Sequence, residues 1–120
     1  MGKLRNHKDL DVWKQSMDLA IDVYAMTKRL PKEEIYGLIS QLRRAAVSIL
    51  SNIAEGAARK NKKEFIQFLH IALGSLAEVE TQILIVQKLN YVQGIDSLTE
   101  RIIAVRQMVN GLIRYLKNNP

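Results

Sequence analysis

The sequence predicts an all-α protein, an antiparallel up-down-up-down four-helix bundle. Three observations predict it. Apolar residues recur at intervals of three and four along most of the chain, the period of an amphipathic helix and not the alternation of a strand. Only two prolines and six glycines occur in 120 residues, too few for the many turns of a sandwich or barrel. The breaks between the four periodic stretches are short, and short links force neighbouring helices antiparallel.

Residues 1–8, MGKLRNHK, are polar and charged without periodicity and read as a flexible basic arm. Residues 9–118 read as one domain, long enough for a single core. The first helix opens near Asp9 or Asp11, whose carboxylates suit an N-cap. Its expected buried stripe is Leu10, Trp13, Met17, Ala20, Ile21 and Tyr24. Leu30-Pro31 stops it, because the residue before proline is pushed out of the helical region. In the connection, PKEE favours one short helical turn with proline at its first position.

The second helix, about Leu38 to Arg59, splits cleanly on a helical wheel. Leu42, Ala45, Ala46, Ile49, Ile53 and Ala57 fall on one side; Arg44, Ser48, Ser51, Glu55 and Arg59 fall on the other. Gly56 costs roughly 1 kcal/mol of helix propensity and marks a close helix approach. Asn61 and Glu64 have capping-box spacing. The third helix then carries Phe65, Leu69, Ala72, Leu76, Val79, Ile83 and Val86 in unbroken four-three alternation, with Asn90 as its left-handed stop. The fourth opens between Gly94 and Ser97, with Ser97 and Glu100 as a second box, and repeats the pattern in Leu98, Ile102, Val105, Val109, Leu112 and Leu116.

The composition excludes several classes. There is no cysteine, hence no disulfide framework, thiolate metal site or thiol nucleophile. The longest unbroken apolar runs, such as Ile83 to Val86, are four residues, short of a membrane span. The N-terminus lacks a signal-peptide core, and Asn6 stands where a myristoylation motif wants Ser or Thr. A cytoplasmic protein is expected. The two histidines, His7 and His70, are isolated, and no nucleophile elbow, phosphate loop or dinucleotide fingerprint occurs. No enzyme chemistry, cofactor or metal is expected.

The formal net charge is +6, which favours anionic partners without naming one. Arg59, Lys60, Lys62 and Lys63 crowd one corner, Arg43 and Arg44 lie upstream, and Lys3, Arg5 and Lys8 mark the arm. These are the candidate nucleic-acid-binding residues. Glu80 falls inside the apolar sector of the third helix and needs a partner. Folding the hairpin about Lys60 and Asn61 sets Glu80 opposite Gln41, so a charge-assisted contact to Arg43 or Arg44 is expected. Asn52 is expected to bond a neighbouring helix, and Glu55 to pair with Arg59 one turn on. Asp18 and Asp22 read as solvated charge.

Two helices carry a second stripe. Ala104, Met108, Gly111 and Tyr115 recur off the core side of the fourth. Phe68, Ile71, Gly74, Ser75 and Ile85 form a partial one on the third. A surplus apolar face with small residues suggests subunit packing, with Ala104, Met108, Gly111, Tyr115, Ile71 and Ile85 as the candidate oligomer interface.

Three segments carry a family signature: DLDVWKQSMDLAIDVY, PKEEIYGLISQLRRAAVSILSNIAEGAAR and KKEFIQFLHIALGSLAEVETQI. They resemble the four-helix-bundle proteins encoded in intervening sequences of bacterial large-subunit ribosomal RNA genes, from about Asp9 to Lys117. Leu50 stands where that family commonly has proline, which softens any kink there. The resemblance implies a pentameric ring with no known catalytic activity. The chain is also similar to accessory proteins of diversity-generating retroelements, basic bundle pentamers that bind a reverse transcriptase and nucleic acid. Matching scaffold positions are Trp13, Tyr36, Gly37, Gln41, Arg43, Arg44, Asn52, Glu55, Gly56, Phe65, Gly74, Ser75, Glu78, Glu80 and Gln82. The expected function is sequence-independent association with RNA or DNA by a homopentamer. The alternative is a scaffold that docks a partner enzyme without touching nucleic acid.

Overall fold

Breakers and caps divide the chain into four helices in a computed structural model that describes residues 7–119. They are α1 (Asp11–Thr27), α2 (Leu38–Ala57), α3 (Lys62–Lys88) and α4 (Asp96–Asn118), with 3-10 turns at His7–Asp9 and Lys32–Glu34. No strand occurs among the described residues. Lys3 and Arg5 of the expected basic arm lie outside them.

Each helix packs on two others, α1 on α2 and α4, and α3 on α2 and α4, and no Cα atoms of the diagonal pairs come within 8 Å. Sequence neighbours are therefore spatial neighbours, and the links leave room only for an up-down order. The body measures 47 × 24 × 19 Å.

The stripes of α2, α3 and α4 meet in the core. Leu42, Ile49, Ile53, Leu69, Leu76, Val79, Ile83, Ile102 and Val105 are all buried. On α4 Ile113 is buried where Leu112 was expected, Leu112 packs at the edge, and Leu116 is buried as expected. α2 runs unbroken through Leu50, which is itself buried. By length and composition α3 could cross a membrane, but its apolar stripe is buried against α2 and α4.

α1 is rotated from expectation. Its core face is Val12, Ser16, Leu19, Ala20, Val23, Met26 and Thr27, whereas Ile21 is 60% exposed and Tyr24 lies at the surface. Leu10, Trp13 and Met17 pack at the rim. α1 is apolar over most of its circumference, so its sequence supports two phases. Contact with both α2 and α4 selects one.

The terminators act as their chemistry dictates in two places. Asn61 Oδ1 accepts a hydrogen bond from the Glu64 N–H at 2.8 Å, capping α3. Asn90 adopts φ 58° just beyond it, a conformation asparagine tolerates better than most residues. The other two expected caps do not form. Leu10 is the N-cap of α1, with Asp11 its first residue, and Ile95 is the N-cap of α4, which places Ser97 inside the helix.

Gly56 marks the closest approach. A Cβ there would lie 2.8 Å from both Phe65 Cδ1 and Phe68 Cβ, so α2 and α3 converge on it at the turn. The opposite end is held by loop contacts. Tyr91 donates its hydroxyl hydrogen to Glu34 Oε2 at 2.9 Å, and Arg29 Nη2 donates to the Gln93 carbonyl at 2.9 Å.

Candidate nucleic-acid interface

The α2–α3 turn is built by the end of one helix and the cap of the next. α2 stops at Ala57, Asn61 starts α3, and the polar residues between and after them are left outside the core. Lys60, Lys62 and Lys63 are exposed there, and none has an ion pair. Arg59 is exposed too, but engaged. Its Nη2 donates to Glu55 Oε2 at 3.1 Å and its guanidinium lies 4.9 Å from the centre of the Phe68 ring.

Arg43 and Arg44 do not join this cluster. Arg44 and Arg59 are fifteen positions apart in sequence, roughly 20 Å along a helix axis at 1.5 Å per residue. Arg43 is half-buried and structural. Its Nε donates to Thr27 Oγ1 at 2.9 Å, and its guanidinium lies 4.7 Å over Tyr24. It clasps the end of α1 onto α2. Arg44 is exposed, on a 270 Å³ groove between α2 and α3 lined also by Gln41, Ala45, Ser48, Ser75, Glu78 and Gln82. The six expected cations therefore divide into a basic tip, a clasp and a groove arginine.

The polar pairings differ from those expected. Glu80 accepts from Arg106 Nη2 on α4 at 2.7 Å, not from Arg43 or Arg44. Gln41 instead meets Gln82, whose Nε2 donates to Gln41 Oε1 at 3.3 Å. Ser75 donates to Ser48 at 2.8 Å across the same interface. Both pairs centre the hairpin between Asn61 and Lys62, one residue later than expected. Gln82 faces α2, so Glu80, two residues and about 200° away on the wheel, faces α4. Asn52 bonds Ser48 in its own helix, not a neighbour. Asp18 and Asp22 both hold Arg101, at 3.7 and 2.8 Å; they are ion-paired, not merely solvated.

The surplus stripes lie on two different sides. Ala104 and Tyr115 are exposed and Met108 and Gly111 half-buried, on the side of α4 next to α1. Ile71, Gly74 and Ile85 are exposed on the outer side of α3, and Ser75 of that stripe is buried instead, in the bond to Ser48. Another apolar group, Ile35, Tyr36 and Leu89, is exposed at the end opposite the lysines; the sequence marked only Tyr36 of these, as a matching scaffold position, and it is 93% exposed. These residues lie in or beside loops, where periodicity carries no signal. Among the described residues no group of three or more His, Asp or Glu side chains is placed to hold a metal ion.

Fold and surface together define a small helical bundle with a lysine-rich tip and a polar seam between its two most closely paired helices. The chain belongs to the 23S rRNA-intervening sequence protein family, which matches residues 8–111. A similar solved structure is that of a protein of unknown function from the S23 ribosomal protein family of Bacteroides thetaiotaomicron. It is 23% identical, has a TM-score of 0.78, and the match covers 86% of this chain and 95% of that one. No curated protein sequence matches the chain. The family is one of unknown function and not a known enzyme family.

Proposed function

We propose that this protein is a non-enzymatic, ring-forming bundle, a pentamer, that associates with RNA in the cytoplasm through the α2–α3 tip, without reading sequence. The observation that carries the reading is the trio Lys60, Lys62 and Lys63, exposed at one tip without intramolecular ion pairs. Ammonium groups so placed can meet phosphates as point charges and release counterions, and they offer no fixed geometry for base edges. Arg59 adds charge, and Phe68 beneath it holds its guanidinium over the tip. A ring repeats the patch and converts weak contacts into avidity. The family's connection with ribosomal RNA genes, and the resemblance to retroelement accessory proteins, support the same reading.

The test is filter binding of a generic RNA at several salt concentrations. Binding is expected to fall steeply with salt. Lys60→Gln/Lys62→Gln/Lys63→Gln is expected to weaken it by about tenfold or more and to flatten the slope. No binding at low salt, or an unchanged triple variant, overturns the reading. A monomer in light scattering at micromolar concentration overturns the ring.

The alternative, a scaffold docking a partner enzyme, is favoured by Ile35, Tyr36 and Leu89, exposed at the opposite end. Loss of a co-purifying protein on Tyr36→Ser, with no RNA binding by the native chain, is the result that favours it.

A further inference from the structure

Gly56 does more than let two helices approach. A Cβ there would lie 2.8 Å from the Phe68 Cβ, so the missing side chain allows Phe68 to lie directly against the last turn of α2. Arg59 follows just beyond that turn and closes over the ring, with its guanidinium carbon 4.9 Å from the ring centre. Glu55 accepts a hydrogen bond from Arg59 Nη2 at 3.1 Å and holds the group by one edge. A planar group covered by a ring on one side exposes the other, and the Arg59 side chain keeps 45% of its surface in water.

The fold has little need of this arrangement. The Arg59–Glu55 pair joins two exposed side chains one helical turn apart, and such pairs add little stability. Arg43 makes a similar contact with Tyr24, but it is half-buried and donates to Thr27 across a helix interface. Arg43 is a clasp. Arg59 is a cation held in place at the surface, among three lysines.

A held guanidinium has a use that an ammonium lacks. It is planar and weakly hydrated, and a nucleobase stacks on it as on an aromatic ring. Holding it beforehand removes part of the ordering cost of binding. Within a duplex each base face is covered by its neighbours, so only an unpaired base has a face to offer.

We infer that the α2–α3 tip selects unpaired RNA: one splayed base stacks on the outer side of the Arg59 guanidinium, while Lys60, Lys62 and Lys63 hold the neighbouring phosphates. This rests on the RNA-binding reading above and names the form of RNA that the site takes. The lysines alone predict the opposite order. A duplex carries the denser phosphate charge, so a purely electrostatic tip binds it at least as tightly as a single strand. Stacking tolerates any base, so the choice is between strand forms and not between sequences.

The test is fluorescence anisotropy at low salt with the full chain and three probes: a short unstructured RNA strand, that strand annealed to its complement, and that strand with abasic positions. The native protein is expected to bind the strand more tightly than either of the others. Arg59→Lys keeps the charge and loses the plane; Phe68→Leu keeps an apolar side chain and loses the ring. Each is expected to weaken binding of the strand by about fivefold or more and to leave the duplex unchanged, with circular dichroism as the folding control. The abasic probe needs no variant, so it tests the stack whether or not the variants fold. Equal binding of intact and abasic strands by the native protein overturns the stack and leaves RNA association standing. So does an Arg59→Lys protein that loses strand and duplex alike, because Arg59 then meets only phosphate. No binding of any probe overturns the RNA reading and this inference with it.

Discussion

Glu80 and Arg106 join α3 to α4 through a 2.7 Å hydrogen bond between charged groups at the edge of the core. Both side chains keep about a third of their surface in water, so solvent screens the pair. Arg106→Ala is expected to cost less than about 1 kcal/mol, and a double-mutant cycle with Glu80→Ala to give a coupling of the same small size. Urea denaturation at low and high salt measures both. A loss several times larger would mean that the pair is effectively buried.

Gly56 is expected to tolerate no side chain. Gly56→Ala gains helix propensity of roughly 1 kcal/mol, yet its methyl would press on Phe65 and on the Phe68 Cβ, which lies close to the backbone and cannot swing away. Overpacking of this kind costs about 1–3 kcal/mol and outweighs the gain. Chemical denaturation of Gly56→Ala should show a net loss; increased stability would disprove the close approach of α2 and α3.

Tyr91 sets a pH limit at the loop end. Its hydrogen bond to Glu34 raises the phenol above the ordinary 10.0, helped by burial and by the negative charges of Glu34 and Glu33. The folded state therefore holds this proton more tightly than the unfolded chain does. The stabilisation is complete below pH 10.0 and is lost as pH rises through the higher folded value. Melting temperature between neutral and strongly alkaline pH is expected to fall above that point, and Tyr91→Phe to remove that part of the fall. An identical alkaline profile in Tyr91→Phe would exclude the bond as its cause.

The seams of α2, α3 and α4 were legible because one residue type at one period specifies one face. Leu76, Val79, Ile83, Val105 and Val109 have no alternative to the interior. Asn61 and Asn90 were legible because capping and left-handed backbone are local chemistry. α1 was legible as a helix but not in phase, since apolar residues surround most of it.

By itself, then, the sequence determined that four rods form, where they stop, and that their oily sides meet. Only the tertiary structure decided which polar group answers which. Gln82 turned to Gln41 and Glu80 to Arg106 because a shift of one residue at the α2–α3 turn changes which side chains stand opposite one another, and Arg43 turned to Tyr24 and Thr27 because it lies on the side of α2 that meets α1. The same packing separated the tip lysines from the upstream arginines by most of the length of α2. Hydrophobic burial is set by pattern and is insensitive to such shifts, whereas a hydrogen bond or ion pair requires a particular partner within a few ångströms.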